Sequence, residues 1–231
     1  VLKNYKSVAA CSVELGPLNF LVGPNGAGKS NFLDALRLVN EAVTASLDHA
    51  LRDRGGINEV RRRSSGHPTH FGIRLEFQLP GEIEGYYAFR VGAQHNGGFE
   101  VQHEECHIRR SLMEPESFFV IKSGQVEGSS LELAPPGSSD RLYLVAAAGQ
   151  AAFRPLYDAL AHMGFYNLSP DEIRKWQPPD PGMVLRRDGS NLAGVLSLVE
   201  REHSSAHTRV IEFLSKVVPG QVGQCQACRE E

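Results

Sequence analysis

The sequence predicts an α/β chain with α+β character: a strand–loop–helix unit, then an antiparallel sheet, then a helical segment. Three observations predict it. The stretch Gly23-Pro24-Asn25-Gly26-Ala27-Gly28-Lys29-Ser30 fits the phosphate-loop pattern G-x-x-x-x-G-K-[ST] at every fixed position. From His70 the apolar residues recur with period two. From Pro155 onward they recur at helical spacing.

The loop has the context its chemistry requires. Leu18, Phe20, Leu21 and Val22 have the composition of a short buried strand. After the loop, Phe32, Leu36, Leu38, Val39, Val43 and Leu47 fall on one face of a helix, which should run to the glycine pair Gly55-Gly56. Gly23, Gly26 and Gly28 lack a Cβ, so the backbone can close around an anion with its N–H groups turned inward. The positive end of the helix stands behind that nest. Lys29 has the reach to engage β- and γ-phosphates, and the Ser30 hydroxyl is the expected Mg²⁺ ligand.

Residues 1–15 should contribute one or two strands, closed by Gly16-Pro17. The chain begins inside the first of them, which predicts that a few residues precede Val1. Glu59 to Gly66, with Arg61, Arg62 and Arg63, reads as a basic, flexible connection. Phe71, Ile73, Leu75, Phe77 and Leu79 describe a half-buried strand, and Tyr87, Phe89, Val91 and Ala93 a second, with a turn at Asn96-Gly97-Gly98. Phe99–Arg109 and residues 118–122 and 142–145 are further strand candidates. Tight turns between short strands imply an antiparallel sheet. Pro155 can open a helix bearing Leu156, Tyr157, Leu160 and Met163. Ser169 and Glu172 form a capping box, and Ser190 should cap a helix bearing Leu192, Val195, Leu196 and Val199. A last helix carries Val210, Ile211, Leu214 and Val217. The expected division is 1–150 for the nucleotide lobe and 151–231 for the helical segment.

Composition bounds the partners. A net charge of −3 over 231 residues creates no global field for nucleic acid or an anionic membrane. No apolar stretch has the length of a bilayer span, and no signal peptide precedes the first strand. The four cysteines are too scattered for a disulfide framework, which with a nucleotide loop points to the cytoplasm.

Two other motifs carry less. His103-Glu104-Glu105-Cys106-His107 matches H-E-x-x-H, but zinc needs that pattern on a helix and its flanks read as strand. Cys225 and Cys228 form a lone C-x-x-C in a terminal tail. Trp176 reads as a packing anchor rather than a base-stacking platform.

Asn4-Tyr5-Lys6-Ser7, the loop through Asn31, and Phe32-Leu33-Asp34-Ala35-Leu36 resemble the start of ABC-type ATPase heads in the RecF/SMC-like branch. Gly55-Gly56-Ile57 and Arg187-Asp188-Gly189-Ser190-Asn191-Leu192-Ala193 resemble the RecF-like AAA-type ATPases predicted in bacteria and archaea. The resemblance covers Val1 to about Val218. It implies a P-loop NTPase fold, the first lobe of an ABC-type head, with ATP and Mg²⁺ as cofactors. It implies that Asn25, Gly26, Ala27, Gly28, Lys29, Ser30 and Asn31 hold the phosphates and metal, and that Lys6 and Ser7 touch the nucleotide. Arg61, Arg62 and Arg63 fall where related heads often direct an arginine at nucleotide or DNA. It further implies an ATP-dependent dimer with a second copy, and action on DNA in repair or in defence against foreign DNA.

Two expected parts of a complete head are missing from the sequence. No run of four apolar residues ends in Asp-Glu, and no Ser-Gly-rich signature occurs; Ser123-Gly124-Gln125 reads as a turn. This chain alone is expected to bind ATP and hydrolyse it poorly. The alternatives are a nucleotide-gated regulator without turnover, or a P-loop phosphotransferase, which the early antiparallel sheet disfavours.

Overall fold

The computed structural model describes residues 1–64, 68–95, 97–111 and 114–217. It divides into two compact units, Val1–Met163 and Gly164–Glu231.

The first unit is built on a seven-stranded antiparallel sheet. Its strands are β1 (Leu2–Tyr5), β2 (Val8–Cys11), β3 (His70–Leu79), β4 (Ile83–Ala93), β5 (Phe99–Arg109), β6 (Ser117–Lys122) and β7 (Gln125–Ser129). They lie in the order β2-β1-β3-β4-β5-β6-β7. The alternation that predicted β3 and β4 is used as expected: Phe71 and Ile73 face the core, as do Tyr87, Phe89 and Val91. Ser123 and Gly124 form the turn into β7, both with positive φ.

One face of the sheet is covered by α1 (Lys29–Thr44), whose Ala35, Leu38, Val39, Ala42 and Val43 are buried. Beyond it come α2 (Leu47–Arg52) and α3 (Ile57–Val60). The single helix expected to run to Gly55-Gly56 is therefore two, and a third follows the glycine pair. Ser46 is extended and its hydroxyl accepts the His49 amide, which stops one helix and caps the next. Gly55 and Gly56 then turn the chain with φ of 84° and 92°.

Two expected strands are not strands. Residues 18–22 are irregular and exposed, with Phe20 at 80% and Val22 at 91%. A strand needs a neighbour for its N–H and C=O groups, and no described strand lies against this segment. Residues 142–145 lead instead into α4 (Leu144–Ala147). The reason lies in β5: the buried Glu104 carboxylate accepts the amides of Tyr143 at 2.5 Å and Leu144 at 2.9 Å, satisfying orphan donors of a helical turn. After it, α5 (Arg154–Ala161) opens on Pro155 and is tied to α1 by Asn40, which donates to the carbonyls of Leu160 and Ala161. The first unit runs through Met163.

The second unit holds α6 (Pro170–Arg174), α7 (Leu192–Glu202) and α8 (Ser204–Val217). Ser169 caps α6 by accepting the Glu172 amide. The cap of α7 is Asn191, not Ser190: Ser190 instead donates its amide to Asp188. The Asn191 side chain is recruited away from the helix. It accepts the Arg186 amide and donates to Asp180 and the Val184 carbonyl, so the Asp188-Gly189-Ser190-Asn191 segment is clasped to the preceding loop. Trp176 is 83% exposed and anchors no packing. Cys225 and Cys228 lie outside the described residues.

Candidate nucleotide site

The site is assembled where α1 begins. Gly26 and Gly28 take φ of 82° and 90°, the left-handed region that glycine enters without a Cβ penalty. The Ala27 amide closes the loop onto the Pro24 carbonyl at 3.2 Å. Gly28 is the N-cap of α1 and supplies no side chain to it, and no acidic residue occupies the first turn. The helical ladder starts with the Phe32 amide on the Gly28 carbonyl, which leaves the amides of Lys29, Ser30 and Asn31 as the orphan donors of a 16-residue helix. Asn25 and Ala27 are exposed beside them, as is Ser30.

Lys29 bends back over the loop, its ammonium donating to the carbonyls of Gly23 at 2.7 Å and Pro24 at 2.9 Å. The donor set fits a polyphosphate: backbone N–H groups, one ammonium and the positive end of a helix. The exposed Ser30 hydroxyl, an oxygen ligand of the kind Mg²⁺ prefers, fits the metal.

The β1–β2 turn reaches the same place. Lys6 has a left-handed φ of 47° and donates its amide to the Val60 carbonyl. The Ser7 hydroxyl accepts the Asn31 side-chain amide at 2.7 Å. A Cβ on Gly28 would approach Val8 Cγ2 to 3.2 Å and Ser7 Oγ to 3.6 Å, so turn and loop are in close contact. Structure thus brings Lys6, Ser7, Gly28 and Asn31 together, although 20 residues and more separate the two segments in the chain.

The three arginines part company. Arg61 bridges Tyr5 in the sheet and donates to Asn58 and the Pro68 carbonyl. The Arg62 amide is held by the Asn4 carbonyl. Arg63 pairs with Glu59. Lys6, Asn31, Glu59, Arg61 and Arg63 line a pocket of about 320 Å³, with Arg62 not among its walls. Residues 59–63 are thus held in place as a rim, while Ser65 and Gly66 of the expected flexible connection lie outside the described residues.

Sequence reasoning missed the groups that hold this rim. Asp34, one turn beyond Ser30 on α1, accepts from Tyr5 at 2.8 Å and lies 2.5 Å from the Lys6 ammonium. Arg54, nearly buried, donates to Asp34 and to the Ala50 carbonyl and pairs with Glu41. Burial works to raise the Asp34 carboxyl, but hydrogen bonds from Lys6, Arg54 and Tyr5 outweigh it and hold it below the ordinary range. Burial likewise opposes the Arg54 charge, and Glu41 and Asp34 overcome it and raise its pKa. No local pattern links Tyr5, Asp34 and Arg54, so only the fold reveals them.

The H-E-x-x-H match lies on β5. His107 stacks between Tyr86 and Phe118, and Glu104 turns into the core to meet Tyr87, a disposition that serves packing. Among the described residues no group of three or more His, Cys, Asp or Glu could hold a metal ion. No described helix is long and apolar enough to cross a membrane.

Residues 18–119 match the family described as "AAA domain, putative AbiEii toxin, Type IV TA system". The chain is 40% identical over 129 residues to the "DNA replication and repair protein RecF" of Vibrio vulnificus (strain YJ016), a match covering 54% of this chain and 34% of that protein. A RecF of strain CMCP6 is 40% identical over 40 residues, 17% of this chain and 11% of that protein. The chain therefore spans about a third of the first relative's length. No solved structure matches it. Over these matched residues the chain is similar to the AAA domain family and to RecF.

Proposed function

We propose that this chain is the ATP-binding first lobe of a RecF-like head, cycling between ATP-bound dimer and hydrolysed monomer, and acting on DNA in repair or in defence against foreign DNA. One observation carries the reading: the orphan amides of Lys29, Ser30 and Asn31, capped by a left-handed Gly28, face the loop over which the Lys29 ammonium is folded. ATP would be held by Asn25 through Asn31. Lys29 would exchange its two carbonyl partners for phosphate oxygens, and Ser30 would ligate Mg²⁺. The metal, when bound, neutralises charge on the phosphates. Lys6, Ser7, Arg61 and Arg63 would contact the nucleotide from the β1–β2 side, with Arg62 further out. Residues 1–150 form the nucleotide lobe in this reading, and the helices after it lead to a second lobe that supplies the acid and signature the sequence lacks.

The DNA part rests on the RecF relatives, and the dimer part on family resemblance alone. Substituting Lys29→Ala and titrating with Mg·ATP tests the core of the proposal. Affinity should fall at least about tenfold, the loss of one charge-assisted contact worth ~1.5–3 kcal/mol. Unchanged affinity would overturn it. Turnover by the purified chain should be slow; rapid Mg²⁺-dependent hydrolysis would show that no second lobe is required.

A further inference from the structure

Among the described residues three cations line the rim pocket, and they are not held alike. Lys6 is paired with Asp34, which keeps Tyr5 and Arg54 as donors whether or not Lys6 stays. Arg61 is held by neutral oxygens: it donates from Nε to Asn58 Oδ1 at 2.9 Å and from Nη1 to the Pro68 carbonyl at 2.8 Å. Among the described residues no carboxylate pairs with it. Arg63 is held by the Glu59 carboxylate, with its Nε on the Asn58 carbonyl at 3.3 Å. Glu59 therefore places a negative charge on the wall of an otherwise cationic pocket.

The fold fixes that carboxylate in place. The Glu59 amide donates to the Gly56 carbonyl at 3.1 Å, and the next residue, Val60, accepts the Lys6 amide at 2.7 Å. The Glu59 side chain runs over Gly55. A Cβ there would stand 3.0 Å from Glu59 Cγ and 3.6 Å from Glu59 Cβ, so the glycine leaves the space the side chain uses. The pair it makes is nevertheless easy to exchange. The side chains of Arg63 and Glu59 are 69% and 49% exposed, whereas those of Lys6 and Asp34 are 28% and 21% exposed. An exposed pair shifts an equilibrium by no more than about fivefold, since water solvates both charges once they part. A phosphate offers the planar guanidinium fork several charged oxygens and is the stronger partner.

We propose that Glu59 is a competitor built into this rim: its carboxylate occupies the Arg63 guanidinium that a ligand phosphate must claim, and so holds the affinity of the site below what its cations could give. The inference rests on the nucleotide reading above and gives Glu59 the role of setting affinity at that site. Arg61 meets the phosphate without losing a charged partner. Arg63 reaches it only by giving up Glu59, whose freed carboxylate turns to water and stays near the bound anion as a repelling charge. A carboxylate that instead held the ligand, through a ribose hydroxyl for example, would show the opposite effect when its charge is removed.

Mg·ATP titrations of the 231-residue chain test it. Glu59→Gln keeps the shape of the side chain and removes its charge; it should bind Mg·ATP about three- to fivefold more tightly than the parent. Arg63→Gln should bind more weakly. Added to Arg63→Gln, the Glu59 substitution should gain less than about twofold, because a salt-screened repulsion is all that it then relieves. No gain in the parent background, a loss, or an equal gain in both backgrounds overturns the proposal.

Lys29→Ala in the same titration separates this proposal from the reading it rests on. If Lys29→Ala loses binding while Glu59→Gln gains nothing, Glu59 is no competitor and the nucleotide site stands. If Lys29→Ala binds as the parent does, or the parent binds no Mg·ATP, the site itself is misassigned and the role of Glu59 falls with it.

Discussion

The Lys6 ammonium sits 2.5 Å from Asp34 Oδ2, joining the tip of the β1–β2 turn to the second turn of α1. This pair fixes the candidate nucleotide rim. Lys6 lines the rim pocket, and Asp34 is gripped in turn by Tyr5 and by the nearly buried Arg54. Removing the Asp34 charge leaves Arg54 with Glu41 as its sole carboxylate partner among the described residues. Asp34→Asn should therefore destabilise the chain by about 2 kcal/mol, less than a fully buried pair because Asp34 keeps some solvent contact. The pH dependence has a definite sign. A carboxyl held below its ordinary value stabilises the fold above that value, and the stabilisation is lost as pH falls through the native pKa. Urea midpoints between pH 2 and 5 should accordingly fall less steeply in the variant than in the parent; parallel curves would refute this role for Asp34.

Gly28 connects turn geometry to ligand binding. Alanine there must adopt a φ of 90° and place its Cβ 3.2 Å from Val8 Cγ2. The left-handed conformation alone costs about 1–2 kcal/mol for a residue with a Cβ. Relief would come from pushing the β1–β2 turn outward, which separates Ser7 from Asn31. Gly28→Ala is thus expected to cost about 1–2 kcal/mol of stability and to weaken Mg·ATP binding more than that strain alone. Gly16→Ala is the control, since a Cβ there meets nothing within 4 Å and φ is ordinary. Equal effects of the two substitutions on nucleotide affinity would break the link between loop and turn.

Glu104 makes the opposite pH prediction. Burial pushes its carboxyl up to about 7, against hydrogen bonds from Tyr143, Leu144 and Tyr87. In the unfolded chain the same group titrates near 4.3. Between these values the folded state binds a proton that the unfolded state does not. Stability from this group is then full below the unfolded pKa and lost as pH rises through about 7, by up to ~4 kcal/mol. Glu104→Gln removes the titration, but its NH₂ must face either the Tyr143 or the Leu144 amide. The variant should be less stable than the parent at pH 5, with the gap narrowing by pH 8. A gap that stays constant across that interval would show that Glu104 does not titrate there.

Legibility in the sequence followed the range of the deciding interaction. The loop, the first turn of α1, the Ser169 cap and the alternation of β3 and β4 were readable because neighbours in the chain determine them. β7, reading Gln-Val-Glu-Gly-Ser, carries no apolar alternation and exists because it pairs with β6. The helical turn at Leu144 depends on Glu104, 40 residues earlier. The rim depends on Tyr5, Asp34 and Arg54, which three separate segments supply. The residues expected to touch nucleotide were readable from loop and resemblance; those that fix them in place were not.

The exposed run before the loop yields the last prediction. Its apolar side chains have the composition of a buried strand, yet Leu18, Phe20 and Val22 are 75%, 80% and 91% exposed. If Phe20 packed in a core, replacing it with a polar residue would cost ~3–5 kcal/mol. Exposed as it is, Phe20→Ser should change the stability of this chain by less than about 0.5 kcal/mol. Together, Phe20→Ser and Val22→Thr should reduce binding of the apolar dye ANS and slow aggregation, because they dismantle a contiguous exposed patch. The same pair placed in a protein that includes the proposed second lobe should be strongly destabilising, since the segment would there be a covered strand. Urea unfolding of both forms, with and without the substitutions, separates the cases. A loss of several kcal/mol already in this chain would mean that residues 18–22 are packed without any second lobe, and the incomplete-head reading would lose its structural support.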